Sequence, residues 1–350
     1  MQIKFLNNQN KAQHVRGVPP SEVMVPYPNI RSLLESQANF LKDKIFIIYE
    51  NDKISYNDFV KKVNQYSNFL IDNNLVKNNS YSISSNKPIF FLIELFAIWN
   101  IGGRINLSLK NNMKIDFEKI FKNYNSKFIP IKKNKFYDIC MQFQNKNGNT
   151  IFLSEYNLLV TAMGISNNFN VNENNLFMYF YPFKNKLNLI FAILSSLYLG
   201  SEFQFLNKNH NFNKCKTITT LFIEEFFFSE KIKNIICPHY IFKLIKKTNF
   251  KVSFFIPDIS GYISINMENP KILMKNFISI GFGMNHCELA IISNKGDILP
   301  DEKIGDLVIR GHNIMEKING IKNINNYFKY GWFHTGYKGI LFKNEIFIQF

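Results

Sequence analysis

Apolar residues along the chain switch between two periods. Ile30, Leu33, Leu34, Ala38 and Leu41 recur at helical spacing and predict one face of a helix. The run IFIIY (45–49) is short and continuous, as in a strand buried on both sides. Ser55 then opens a second helix, with Asp58 three positions on as a capping box in which Asp replaces the usual Glu. Phe59, Val60, Val63 and Leu70 line the inner side of that helix. YSIS (81–84), an apolar helix over 88–99, RINLSL (104–109), a helix around 115–124 and the strand KFIPI (127–131) continue the alternation. LFMYFY (176–181), a helix over 187–199 and SEFQFL (201–206) resume it, and it ends near KIKNIICPHYIFKLIKK (231–247). Strands alternating with helices predict an α/β body with a mostly parallel sheet covered on both faces.

From about residue 279 the pattern changes. CELAIISNKGDILP (287–300) reads as a hairpin about Asn294-Lys295-Gly296, GDLVIRG (305–311) as a strand, and GILFKNEIFIQF (339–350) as a further hairpin. The predicted organisation is a polar lead over 1–26, an α/β body over 27–278 in two sheet-bearing parts (about 27–140 and 150–278), and a small antiparallel β part over 279–350. No internal repeat is visible, and the Asn-rich stretches 144–149 and 166–175 read as loops.

Composition narrows the functional classes. With 350 residues and 46% hydrophobic content the chain can bury a substantial core. Its formal net charge of +16 would suit an anionic partner, yet the lysines are scattered in ones, twos and threes with no long basic run. That is the pattern of a solvated surface, so no nucleic-acid partner is expected. Cys140, Cys215, Cys237 and Cys287 form no C-x-x-C pair and read as free thiols in a reducing, cytoplasmic setting. Cys237-Pro238-His239 lacks a second ligand pair, and no metal site is expected there. His14, His210, His286 and His312 are scattered and read as surface or packing residues. The apolar segments 88–99 and 187–200 fall short of the ~20 residues of a membrane span, and Glu94 interrupts the first. Both are expected to be buried helices, with no membrane span, and the first 17 residues lack a signal-peptide core.

The closing motifs, IGDLVIRGHNIM (304–315) and YFKYGWFHTGYKGILFKNEIFI (327–348), resemble the adenylate-forming superfamily of acyl- and aryl-CoA synthetases, luciferases and peptide-synthetase adenylation domains. Gly305-Asp306-Leu307, Arg310-Gly311, Met315, the run Gly331 to Gly336 and Gly339 carry the resemblance. IELFAIWNIGGRINLSL (93–109) and IFLSEYNLLVTAM (151–163) are similar to upstream segments of the same family, and the likeness covers about residues 27 to 350. It implies layered, mostly parallel sheets flanked by helices, with a small antiparallel β-barrel-like part at the C-terminal end. It also implies two-step chemistry, in which a carboxylate attacks ATP to give an acyl-adenylate and pyrophosphate before a thiol takes the acyl group. ATP with Mg and CoA would be the cofactors, and a small carboxylic acid the substrate. GWFHTG places the acyl-CoA synthetase branch nearest.

The same resemblance locates candidate site residues and shows departures. The family's phosphate loop falls on MQFQNKNGNT (141–150), where Lys146, Gly148 and Thr150 are the candidate contacts and Gln142, Phe143 and Gln144 are expected to crowd the cradle. The bland alternative is an Asn-rich surface loop. The adenine-stacking and magnesium motif falls on SGYISIN (260–266), with Gly261 and Tyr262 kept and Asn266 standing where a Glu belongs; a strand-edge tyrosine is the alternative. Thr335 and Gly336 form the turn before the ribose-gripping Asp, and Tyr337 replaces that Asp. A phenol offers one oxygen where a carboxylate offers two, and each lost charge-assisted hydrogen bond is worth about 1.5–3 kcal/mol. YPFKNK (181–186) puts Lys184 and Asn185 where the family has an aromatic-His pair. Arg310 and His334 are expected to be structural. The sequence stops at Phe350, before the family's mobile C-terminal domain with its catalytic Lys, so that domain is expected to be absent or supplied as a separate chain. The expectation is an AMP-dependent synthetase-like protein that is catalytically impaired. The alternative is a non-catalytic binding or partner protein, or a relic of genome reduction, on the same fold.

Overall fold

Short polar side chains mark where the helices begin. In the computed structural model, which describes residues 24–74, 80–109, 114–130, 134–168, 172–183, 185–207, 218–222, 232–236, 252–256, 261–266, 272–273, 276–321 and 327–349, six helices are present among the described residues. Asn29 caps α1 (Ile30–Leu41) by accepting from the N–H of Ser32. Ser55 caps α2 (Tyr56–Asp72) through the N–H of Asp58 at 3.1 Å, as its box pattern predicted. The helix α3 (Pro88–Asn100) starts on a proline, which has no N–H and so needs no cap acceptor. Asp116 and Asn185 cap α4 (Phe117–Asn123) and α6 (Lys186–Leu199), and α5 (Glu155–Asn168) lies between them. The left-handed Gly200 closes α6.

The strands sort into three sheets. In chain order the first are β1 (Ile45–Tyr49), β2 (Asp52–Ser55), β3 (Ser80–Tyr81), β4 (Arg104–Asn106), β5 (Ile139–Gln144) and β6 (Thr150–Ser154). Then come β7 (Leu176–Tyr181), β8 (Glu202–Asn207), β9 (Ile218–Phe222), β10 (Ile232–Ile236), β11 (Val252–Ile256), β12 (Gly261–Asn266) and β13 (Ile272–Leu273). The last are β14 (Phe277–Gly283), β15 (Cys287–Ile292), β16 (Gly305–Gly311), β17 (Lys317–Asn319), β18 (Phe328–Lys329), β19 (Trp332–Phe342) and β20 (Glu345–Gln349). A six-stranded sheet runs β10-β9-β7-β8-β1-β2, parallel except for the β1–β2 hairpin. A five-stranded sheet runs β17-β6-β5-β4-β3, and the antiparallel third sheet runs β11-β12-β14-β20-β19-β16-β15, with β13 and β18 attached.

Helix α3 packs on both β1 and β4, between the first two sheets, which explains why it is apolar on every side. Trp99 fastens it to β5 by donating from Nε1 to the Cys140 carbonyl at 3.1 Å. Glu94, the polar interruption in this helix, is buried and fully engaged. It accepts from Tyr66 Oη at 3.0 Å, Ser84 Oγ at 2.7 Å and the backbone N–H groups of Ser84 and Ser85. Helix α5 packs on both β6 and β12, joining the five-stranded sheet to the antiparallel one.

Several expectations change. KFIPI forms no strand over 127–130: Pro130 lacks a donor for a ladder and Ile129 is exposed. The antiparallel sheet already takes in β11 and β12, so the change of pattern near residue 279 falls inside a sheet. The turn about Asn294 is present but returns through a single bridge, Ile292 to Ile298, and β15 pairs instead with β16. The final hairpin turns at Lys343 and Asn344, both with positive φ, in the manner of a two-residue turn. No described helix is long and apolar enough to cross a membrane.

Candidate functional site

The stretch aligned with a phosphate loop is the tight turn between β5 and β6. Asn145 organises it from within. Its Oδ1 accepts from the N–H groups of Asn147 and Asn149, both at 3.0 Å, and its carbonyl accepts from the N–H of Gly148, also at 3.0 Å. Asn145 N–H in turn donates to the Asn149 carbonyl at 2.9 Å. The N–H groups of Asn145, Asn147, Gly148 and Asn149 are therefore engaged inside the turn, as in an Asx-stabilised hairpin. Gly148 adopts φ +76, which the turn requires, and Lys146 is exposed. The expected crowding by Phe143 does not occur: Phe143 is buried in the core, and Gln142 and Gln144 belong to β5 rather than to the loop.

This turn and the GWFHTGY motif meet through Tyr327. Asn149 Nδ2 donates to Tyr327 Oη at 3.1 Å, and the His334 N–H donates to the Tyr327 carbonyl at 2.8 Å. Thr335, Gly336 and Tyr337 form a bulge inside β19. Val308 pairs with His334 and Asp306 with Lys338, so three residues stand opposite Leu307. Thr335 Oγ1 holds the bulge by donating to the Leu307 carbonyl at 2.7 Å and accepting from the Tyr337 N–H at 3.1 Å. Gly336 has φ +81 with open space where a side chain would stand, and the half-buried Tyr337 packs against the main core. The turn seen in sequence is thus a bulge in an unbroken strand.

The adenine and magnesium candidates lie in the interior. Tyr262 is fully buried, not at a strand edge: β12 is paired on both sides, and the phenol donates to Asn188 Oδ1 on α6. Asn266 is buried as well. Its Nδ2 donates to the Ser279 carbonyl at 2.9 Å, and its Oδ1 accepts from Ser279 Oγ at 3.1 Å while lying close to Gly281. Gly261 has φ +103 and faces the Phe191 ring. These positions neither expose a ring for a purine nor leave an amide oxygen free for a cation, so the residues present do not fit ATP with magnesium in that arrangement. Lys184 lies outside the described residues, and Asn185 is the α6 cap.

Arg310 and His334 lie within the antiparallel sheet, on β16 and β19. Arg310 Nε donates to Glu288 Oε2 at 2.6 Å, and its guanidinium lies 4.7 Å from the centre of the Trp332 ring. Burial lowers the pKa of His334, and its Nε2 is enclosed. Cys140 and Cys287 are buried free thiols; burial raises both, Cys287 to about 12. Cys215, Cys237, His14, His210 and His239 lie outside the described residues.

Sequence reasoning missed a buried polar cluster at the start of α5. Ser154 Oγ donates to Glu316 Oε1 at 2.8 Å, and Asn157 Nδ2 donates to the carbonyls of His312 and Ile314 at 2.9 and 3.0 Å. Tyr156 Oη lies 2.7 Å from His312 Nδ1. Burial pushes the Glu316 carboxyl up to about 7 against the hydrogen bond from Ser154. Nearby, His286 is buried against Gly164 with Nε2 3.0 Å from the Tyr262 carbonyl, and burial brings its pKa down to about 4. The readable signal was Ser154 and Asn157 inside an otherwise apolar run. Among the described residues no group of three His, Cys, Asp or Glu could hold a metal ion. Two surface grooves, of about 830 and 540 Å³, lie against α2 and are lined by none of the candidate residues.

Three sheets in this order, with α3 between two of them and the antiparallel sheet closing on α5, make up a fold that the chain shares with solved CoA synthetases and ligases and with the NpsA N-terminal subdomain. An o-succinylbenzoate CoA synthetase from Bacillus subtilis matches with a TM-score of 0.77 at 14% identity, over 92% of this chain and 78% of that one. The N-terminal subdomain of NpsA from Klebsiella oxytoca, bound to 3-hydroxyanthranilyl-AMSN, matches at 0.76 and 10% identity over 92% and 99%. A long-chain-fatty-acid-CoA ligase from Archaeoglobus fulgidus matches at 0.76 and 12% identity over 96% and 86%. In sequence, 83 residues are 29% identical to tyrocidine synthase 1 of Brevibacillus parabrevis, which is 23% of this chain and 8% of that protein. No protein-family profile matches the chain.

Proposed function

We propose that this chain is an AMP-dependent synthetase-like protein, built on the large-domain fold of the acyl-CoA synthetases, that no longer grips the nucleotide and is catalytically impaired. The observation that carries this reading is the turn at 145–149, in which Asn145 occupies the N–H groups of Asn147, Gly148 and Asn149. An oxyanion arriving there must displace formed hydrogen bonds, whereas a phosphate cradle presents free ones. Tyr337 in place of a carboxylate and the interior setting of Tyr262 and Asn266 point the same way.

Solved structures of similar fold include an artificially fused adenylation-PCP di-domain from Klebsiella oxytoca and McyG A-PCP complexed with phenylalanyl-adenylate. A carrier protein is therefore the partner class that goes with the proposal, with an acyl group as the small ligand.

Pyrophosphate release with ATP, CoA and a panel of carboxylic acids, together with calorimetric titration of AMP and a sulfamoyl acyl-adenylate mimic, tests the reading. The expected result is no turnover with any acid and no saturable binding at micromolar concentration. Turnover of one acid, or micromolar capture of the mimic, would overturn it.

A further inference from the structure

The six-stranded sheet ends on β2, and among the described residues that strand pairs only with β1. Its outer edge therefore directs backbone N–H and C=O groups away from the sheet. A groove of about 540 Å³ is lined by Asp52, Lys53 and Ile54 of this strand. Successive side chains of a strand point to opposite faces, so a groove that meets three residues in a row follows the edge rather than one face. Its volume lies within the range of ligand-binding clefts.

Apolar side chains form one wall. Ile54 is buried, and the half-buried Ile89 and Phe90 come from the first turn of α3. Phe90 is fixed by stacking on Phe117, with ring centres 4.3 Å apart and planes 4° from parallel. Charge on the rim is mainly positive. Lys61 pairs with Asp58 at 3.0 Å, which leaves Lys53 and Lys62 against Asp52, and Lys87 adds an ammonium 5.9 Å from the centre of the Phe90 ring. Lys62 is half-buried, lies 4.0 Å from the centre of the Phe121 ring and hydrogen-bonds to no described group. Burial lowers its pKa against the attraction of Asp58.

Open backbone donors and acceptors, an apolar wall and an excess of ammoniums together fit an extended chain that carries acidic and large apolar side chains. A second copy of this protein does not fit. Its net charge is +16, and it would bring the same lysines to an edge where lysine opposes self-pairing. We propose that the outer edge of β2 is a docking site for an extended acidic segment of a partner protein, which adds to the sheet as a further strand and sets an apolar side chain against Ile54, Ile89 and Phe90. Its carboxylates meet Lys53 and Lys62. The site includes neither the 145–149 turn nor Tyr337, so it stands whether or not the nucleotide grip has been lost.

The test is fluorescence polarisation of a short labelled peptide that alternates Glu with Ile and Phe, titrated with the full chain at low salt. Saturable binding is expected, weakening as salt rises, with slower amide hydrogen exchange at residues 52–54 in the complex. Lys53→Glu and Lys62→Glu should each weaken binding about tenfold or more. Lys295→Glu makes the same charge change on an exposed turn after β15 and should leave binding within about twofold. Lys53 is exposed, so its variant decides the matter if Lys62→Glu fails to fold. A peptide with Lys in place of Glu is expected not to bind. No saturable binding, equal binding of the lysine peptide, a loss in Lys53→Glu no greater than in Lys295→Glu, or unchanged exchange at 52–54 would each overturn the proposal. So would a dimer of the chain alone, seen by sedimentation, whose formation protects the same amides, because that assigns the edge to a second copy.

Discussion

Ser154 and Glu316 meet at 2.8 Å, a hydroxyl donating to a buried carboxyl across 162 positions of sequence. The bond ties β6 to the segment entering β17. Glu316 titrates in the folded chain at about 7, above its ordinary 4.5, so the folded state holds its proton longer than the unfolded state does. Its contribution to stability is full below about pH 4.5 and is lost as pH rises through about 7, at no more than about 1.4 kcal/mol per pH unit. Glu316→Gln should abolish that loss, which chemical denaturation at pH 5 and pH 8 would detect. Equal pH slopes in both proteins would refute the assignment.

His286 acts in the opposite sense. Burial holds it neutral down to about pH 4, below its ordinary 6.5, so the unfolded state takes up the proton first as pH falls. Stability should therefore decline on acidification from about 6.5 to about 4, against the Glu316 trend in the overlapping window. Wild-type stability is expected to be nearly flat between pH 5 and 6, and to slope upward with pH in Glu316→Gln. Thermal melts across that range decide it.

Gly164 leaves room for the His286 ring. An added Cβ would stand 1.9 Å from His286 Nδ1, a contact that side-chain adjustment cannot relieve in so closed a place. Gly164→Ala is expected to cost about 1–3 kcal/mol or more in urea denaturation. Gly164→Ala combined with His286→Ala should lose less than the two single changes summed.

Glu94 satisfies two backbone N–H groups and two hydroxyls in the core beside α3. Glu94→Ala strands all of them and should cost at least about 3 kcal/mol, while Tyr66→Phe removes one donor and should cost about 1–2 kcal/mol. Denaturation midpoints of the two variants check the order; equal losses would mean the backbone donors find water.

Thr335 holds the bulge of β19 with a single oxygen. Thr335→Val keeps the shape and removes both bonds, for an expected loss of about 1–3 kcal/mol. Tyr337→Asp alone is expected to leave nucleotide binding undetectable, because the donors at 145–149 stay engaged. Calorimetry with AMP measures this directly.

The α/β body could be read in sequence because each of its elements states its own period. The box at Ser55, the run LFMYFY and the strand GDLVIRG fold where their local pattern put them. KFIPI misled because a run of apolar residues looks like a strand until Pro130 is asked for a donor. The sheet membership of β11 and β12 was hidden because hydrogen-bond partners far apart in sequence leave no local trace.

Local pattern by itself determined the alternation of strands and helices, the burial of α3 around Glu94, and the closing motifs that carry the family likeness. Only the tertiary structure decided what the site residues do, because availability is a property of neighbours. Lys146 and Gly148 sit on a turn whose donors Asn145 has taken, Tyr262 points at Asn188, and Asn266 faces Ser279. The chain can place a residue, but whether its polar atoms are free to meet a ligand depends on groups that folding brings from elsewhere.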